Sequence, residues 1–241
     1  MASDKIFWTI ISIVFFAVLF ILKKLFTKKL ARQSGEEKTL NIVKDFIQRM
    51  GWKKENYLLV NNLIIQNNFW SCEIDILLLT RKWIYVIEVK DWKRGRLDGS
   101  FNHEYLDWSY KVGKQGKRRR HRMYSPFWQN ERHIKRFKGY FQSTNQNILS
   151  IVCFNGPSLK INLKESKKTV FEHKHVWVKN SREKDVSYCL AYYENQNTQL
   201  ISFEKLREQI SKELSTPDKR QRHRDWVKSI KEGRGINKIL N

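Results

Sequence analysis

Cysteine is scarce in this chain. Its three copies, Cys72, Cys153 and Cys189, are odd in number, widely spaced and without a CxxC pair. That excludes a disulfide framework and a zinc ribbon, and it suits a reducing cytosol. Acidic residues are also few: 24 Asp and Glu stand against 47 Lys and Arg, a net charge of +23 over 241 residues. So large a surplus calls for a polyanionic partner, either nucleic acid or an anionic membrane surface. No internal repeat and no low-complexity tract appears, so a solenoid is excluded. The length suits one domain of good size with accessory segments.

Only one apolar run is long: Ile6 to Leu22, IFWTIISIVFFAVLFIL. As a helix it spans about 26 Å, a little short of a hydrocarbon core of about 30 Å, and Lys5, Lys23 and Lys24 would snorkel across the difference. Basic KKLFTKKLAR follows where a signal peptide would need small residues for cleavage. The expectation is an uncleaved single-pass anchor carried by residues such as Ile6, Trp8, Phe15 and Leu22. Lys23, Lys24, Lys28, Lys29 and Arg32 lie on its C-terminal side, which places the rest of the chain in the cytoplasm. The chain then divides into an anchor with a basic flank at 1–32, a folded domain at 33–215 and a basic tail at 216–241. The tail reads as either a docking helix or a disordered arm, and the arm is the expectation.

The domain is organised around CEIDILLLTRKWIYVIEVKD, residues 72–91. Two β-branched and aromatic runs meet at Arg81-Lys82, a strand–turn–strand pattern without the Asn-Gly that would strengthen it. A two-residue turn there sets Asp75 opposite Glu88 and Glu73 opposite Lys90. Both faces are apolar for most of their length, as in central strands covered on two sides. One face ends in Asp75, Glu88 and Lys90. Two opposed carboxylates destabilise a hairpin unless a cation lies between them, and oxygen ligands suit Mg²⁺ or Mn²⁺. The plainer alternative is a charged strand end meeting solvent.

Around this hairpin, Ser34 and Glu37 form a capping box for a helix running to Met50, with Gly51 ending it. Its apolar stripe is Leu40, Val43, Ile47 and Met50, with Phe46 at the edge. Glu36 falls on the stripe and Glu37 does not. By periodicity alone, Glu36 serves equally as an inward carboxylate or as a complement to the helix dipole. Tyr57–Ile65 reads as a strand, with Asn61-Asn62 suiting a turn or bulge. KVGKQGKRRRHR, residues 111–122, carries no acid and reads as a solvated basic loop able to meet backbone phosphates. Ser125-Pro126 opens a second helix with Gln129, His133, Arg136 and Tyr140 on one stripe and Phe127, Ile134, Phe137 and Phe141 on the apolar side. His133 has no second His or Cys at zinc-binding spacing. Strands are expected at 148–154, 159–163, 169–178 and 186–193, and a helix at 202–214.

The spacing Asp75–x12–Glu88–x–Lys90 resembles the PD-(D/E)xK nuclease signature. Gly35-Glu36, Glu73-x-Asp75, Glu88-x-Lys90, Asp91-Trp92-Lys93 and Pro126-x-x-Gln129 together resemble the nuclease-related domain family, NERD. The resemblance runs from about Arg32 to Tyr140. It implies an α/β, restriction-endonuclease-like fold: a central mixed β-sheet flanked by helices, here preceded by a transmembrane helix. It also implies metal-dependent phosphodiester hydrolysis, with Asp75, Glu88 and Glu36 holding Mg²⁺ or Mn²⁺, Lys90 beside them, and Gln129 placing water or phosphate. Nucleic acid, probed first as DNA, is the expected partner, through Lys114, Lys117, Arg118, Arg119, Arg120, Arg122, His133 and Arg136. A non-catalytic membrane-tethered nucleic-acid-binding module is the alternative.

Overall fold

A computed structural model describes residues 34–67, 69–92, 94–112, 117–142, 147–156, 158–164, 174–180, 185–196, 199–214 and 217–231. The expected anchor at Ile6–Leu22 lies outside these residues, and so does Lys114. Among the described residues no helix is long and apolar enough to cross a membrane.

Helix α1, Gly35–Arg49, starts where its sequence signals place it. Ser34 Oγ accepts from Glu37 N at 3.1 Å, and Gly51, at φ +64°, follows the C-cap. Its inward face differs slightly from expectation. Thr39, Val43, Phe46 and Ile47 are buried while Met50 is exposed, so the stripe centres on Phe46 and not on its C-terminal end. Next come β1 (Tyr57–Gln66), β2 (Ser71–Thr80) and β3 (Ile84–Lys90). They form an antiparallel meander, and β2–β3 pairs in the expected register, Leu79 opposite Ile84 and Ile76 opposite Ile87. Asn62 adopts φ +53° within β1 without shifting the register on either side of it.

From β3 the chain crosses into β4 (Arg94–Ser100), β5 (Tyr105–Val112) and β6 (Lys117–Tyr124). The basic run expected to be a loop is therefore mostly strand. Its eight pairings with β5 satisfy the backbone while its cations project from the pleat. Helix α2, Pro126–Phe141, follows, then β7 (Ile148–Phe154), β8 (Ser158–Lys164) and β9 (Lys174–Lys179). Residues 169–173 of the strand expected at 169–178 lie outside the described residues.

The stretch 186–193, expected as a strand, is helix α3, Val186–Glu194. Asp185 caps it, Oδ1 accepting from Ser187 N and Tyr188 N. The buried Val186, Cys189, Leu190 and Tyr193 have helical spacing, which the β-rich composition concealed. Helix α4 is Phe203–Lys212, and the tail forms a helix, α5, Pro217–Lys231, packed on β1 and β2, where an arm was expected.

The first sheet has the order β1-β2-β3-β7-β9 and the second β6-β5-β4-β8. On one face of the first sheet α1 and α3 bury Val43, Phe46 and Leu190 against Ile76, Tyr85, Ile87 and Ile151. On the other, α2 and α4 bury Ile134, Phe137, Phe203 and Ile210 against Leu77, Val86 and Ile148. Each such fully buried side chain contributes roughly 1.5–3 kcal/mol of transfer free energy, so this three-layer core fixes the position of β3. A third cluster, Leu97, Leu106, Phe127, Val152 and Phe154, joins the second sheet to the first. The two sheets share a parallel ribbon. β3 lies beside β7 and β4 beside β8, with Ile84 next to Ile148 and Arg94 next to Ser158.

Candidate active site

The polar end of the hairpin lies where β2 and β3 part. Their ladder runs as far as Ile76 and Ile87. One residue on, the Asp75 carboxylate takes the place of a strand: its Oδ2 accepts from Val89 N at 2.7 Å. Burial pushes the Asp75 carboxyl up to about 8, and the nearby Glu88 and Glu36 charges push the same way against the Val89 hydrogen bond. Glu88 is 1% exposed, and burial raises its carboxyl too, opposed chiefly by Lys90.

Lys90, two residues on, shares the face of Glu88. Its Nζ lies 2.5 Å from Glu88 Oε1 and donates to Gln129 Oε1 at 3.0 Å. Gln129 comes from the first turn of α2 and His133 from the next. His133 Nδ1 stands 3.6 Å from Glu88 Oε2, and neither atom has a hydrogen-bond partner. Burial, with Lys90 and Arg136 adding to it, pushes His133 down to about 3, so the imidazole is neutral. Its side chain is 12% exposed, so it offers a phosphate backbone little surface.

Glu36 is exposed, at the mouth of a cleft of about 190 Å³ that it shares with Asp75, Asn61, Asn62 and Ser34. Gly35 explains how α1 gets so close. A Cβ there would lie 2.7 Å from Asp91 Cβ and 3.0 Å from Asn155 Nδ2. Asn155 Nδ2 instead donates to Gly35 O and Thr39 Oγ1, both at 2.8 Å. Asp91 therefore has a structural part: it follows β3 and seats the helix that carries Glu36.

Among the described residues no three His, Cys, Asp or Glu side chains form a ready-made metal-binding group. Asp75 and Glu88 still suit a hard cation. Glu88 is buried and Asp75 half-buried, burial raises both carboxyls, and Glu88 Oε2 is unpartnered. Mg²⁺ commonly takes one or two carboxylates and keeps several waters.

The residues expected to bind nucleic acid separate into two groups. Arg118, Arg119, Arg120 and Arg122, with Lys117, are exposed on β6. Arg120 pairs with Asp107, Arg118 donates to Ser109 Oγ and Arg122 lies over the Tyr105 ring. Arg136 is committed internally: it donates to Ser71 O at 2.9 Å and lies over Trp70 and Trp226. Asn130 was missed by sequence reasoning. Fully buried, it donates to Val86 O and Ser150 Oγ and so fixes α2 on the sheet beside Gln129. The available signal was a polar residue three after Phe127 and four before Ile134, on the apolar stripe. His223 of α5 was missed as well. Its ring meets Ser71 Oγ at 2.8 Å and Glu73 Oε2 at 3.4 Å, bringing the tail to the border of the site.

No curated protein and no solved structure matches the chain. Residues 31–155, which hold α1, the hairpin, α2 and β7, match the family described as NERD, nuclease-related domain. With more than half its length inside that match and the Glu88–Lys90–Gln129 cluster within it, this chain belongs to the nuclease-related domain family.

Proposed function

We propose that this protein is a membrane-anchored nuclease that hydrolyses phosphodiester bonds in DNA with Mg²⁺ or Mn²⁺, its folded part in the cytoplasm. The observation that carries the reading is Lys90 Nζ, set between Glu88 Oε1 and Gln129 Oε1 near the half-buried Asp75. A binding protein has no use for two carboxylates held at such electrostatic cost. Asp75 and Glu88 would hold the ion, with Glu36 at the mouth of the cleft beside Asp75. When bound, such an ion polarises the phosphate and supplies a more acidic water. Lys90 is placed to donate to a phosphate oxygen or to hold the attacking water. The Gln129 amide orients whichever of these Lys90 does not. His133 lies neutral beside Glu88 without a hydrogen bond to it.

The test uses the full-length protein in detergent, with Lys90→Ala and Asp75→Asn variants, on plasmid and linear DNA in Mg²⁺, Mn²⁺ or EDTA. Metal-dependent cleavage by the wild type, lost at least about 100-fold in both folded variants, is the expected result. Tight binding without cleavage under either metal would favour the tethered binding module. Cleavage surviving both substitutions would put the chemistry elsewhere.

A further inference from the structure

The second sheet carries a file of aromatic rings that the site chemistry does not use. It begins at Trp92, two residues past Lys90. Trp92 stacks on Trp108 at 5.9 Å and 23°, and Trp108 meets Tyr110 at 4.7 Å and 33°. Tyr110 lies almost parallel to His121, at 5.6 Å and 13°. The β5–β6 register explains this grouping. Leu106 faces Met123, Trp108 faces His121 and Tyr110 faces Arg119, so all six share one side of the pleat. Leu106 and Met123 cover the core, but toward Val112 and Lys117 the same side holds the half-buried Tyr110 with exposed His121 and Arg119. Arg118, Arg120 and Arg122 occupy the opposite side, each held by Ser109, Asp107 or Tyr105.

An outer ring pair that packs into no apolar cluster among the described residues, with a cation on the same face, has the chemistry of a base-stacking platform. We infer that the Trp108–Tyr110–His121 face binds single-stranded nucleic acid by stacking unpaired bases on Tyr110 and His121, Arg119 meeting the backbone, and so selects substrates with single-stranded segments. Duplex bases are closed to such rings, whereas duplex phosphates can still meet the arginine side. An aromatic, basic surface could also lie on anionic headgroups. The file's first ring, Trp92, follows Lys90 by two residues in the chain, and that favours nucleic acid. As a statement about substrate choice, the inference rests on the nuclease reading. As a statement about binding, it does not.

The experiment measures binding by fluorescence anisotropy in EDTA, using full-length protein in detergent. The probes are a labelled unstructured oligonucleotide and a hairpin duplex, and anionic vesicles are tested by flotation. Tyr110→Ala with His121→Ala is expected to weaken single-strand binding by at least about tenfold while duplex affinity stays within about twofold. Tyr110→Phe with His121→Phe, which keeps an aromatic ring at each position, is expected to retain single-strand binding. Unchanged single-strand affinity in the alanine pair overturns the inference. So does equal loss on both nucleic acids, or a loss confined to vesicles. A wild-type protein that binds single strands through these rings but never cleaves would sink the nuclease reading and leave the platform standing. Cleavage with ring-independent binding would do the reverse.

Discussion

Asp75 is a carboxylate whose surroundings resist its charge, and that resistance has a measurable sign. Its ordinary value is 3.8, and burial with the Glu88 charge takes it to about 8 in the fold. Below pH 4 it is protonated folded or unfolded and costs nothing. As pH rises toward 8 the folded state keeps a proton the unfolded chain has lost, so stability falls through that window. Thermal unfolding in EDTA is therefore expected to show a melting temperature that declines between about pH 4 and pH 8. Asp75→Asn should flatten the decline and Mg²⁺ should offset it, most strongly near pH 8. An identical slope in wild type and Asp75→Asn would show that other groups set it. Gly35 gives a second test. Gly35→Ala forces α1 away from Asp91 and Asn155, with an expected loss of about 1–3 kcal/mol in urea unfolding and a drop in cleavage as Glu36 shifts. At this scale the sequence was most informative where chemistry repeats locally. Asp75, Glu88 and Lys90 could be placed from period two and a turn. The link from Gly35 to Asp91 spans 56 positions, and no local pattern announces a missing Cβ.

Among the elements, the legible ones carry their own punctuation. Ser34 and Gly51 bracket α1, Ser125-Pro126 opens α2, and the register of β2 on β3 follows from Arg81-Lys82. The misread ones are those where composition and tertiary context disagree. Val186–Glu194 has strand-like residues on helical spacing, and Lys117–Tyr124 has loop-like charge on a paired strand. Helix α5 belongs with these, since His223 and Trp226 find their partners Ser71 and Arg136 only in the folded chain. Removing 217–241 takes away eight Lys or Arg against three acids. This truncation should weaken DNA binding and lower its salt dependence more than it slows turnover at saturating substrate. It should also uncover Trp70 and Arg136. Trp226→Ala alone, which keeps every charge, is expected to lower stability by about 1–3 kcal/mol with the salt slope unchanged. An unchanged slope in the truncated protein would mean that α5 serves the fold and not the ligand.

For the molecule as a whole, the charge of +23 was evident from composition, but its arrangement was not. Local charge density suggested a loop for the basic run, whereas folding spreads it along a strand with cations on both sides of the sheet. Replacing Arg118, Arg119 and Arg120 with alanine should reduce the slope of log affinity against log salt by about one for each phosphate no longer neutralised. Titrations at several salt concentrations would read this directly, and an undiminished slope would remove β6 from the interface.

The ribbon that joins the two sheets restricts how this chain can change in length. Ile84 lies beside Ile148 and Arg94 beside Ser158, the same spacing of 64 positions in both sheets. The crossings between sheets therefore match residue for residue, Asn155 N bonding Lys90 O and Gly156 fitting under Trp92 O. One residue inserted between Lys90 and Arg94 alone would slip β4 against β8 and turn Leu97 out of its core. The same insertion made in both crossings would restore the register. Indels here are tolerable only in pairs, so the segment leaving β3 and the one leaving β7 must lengthen or shorten together.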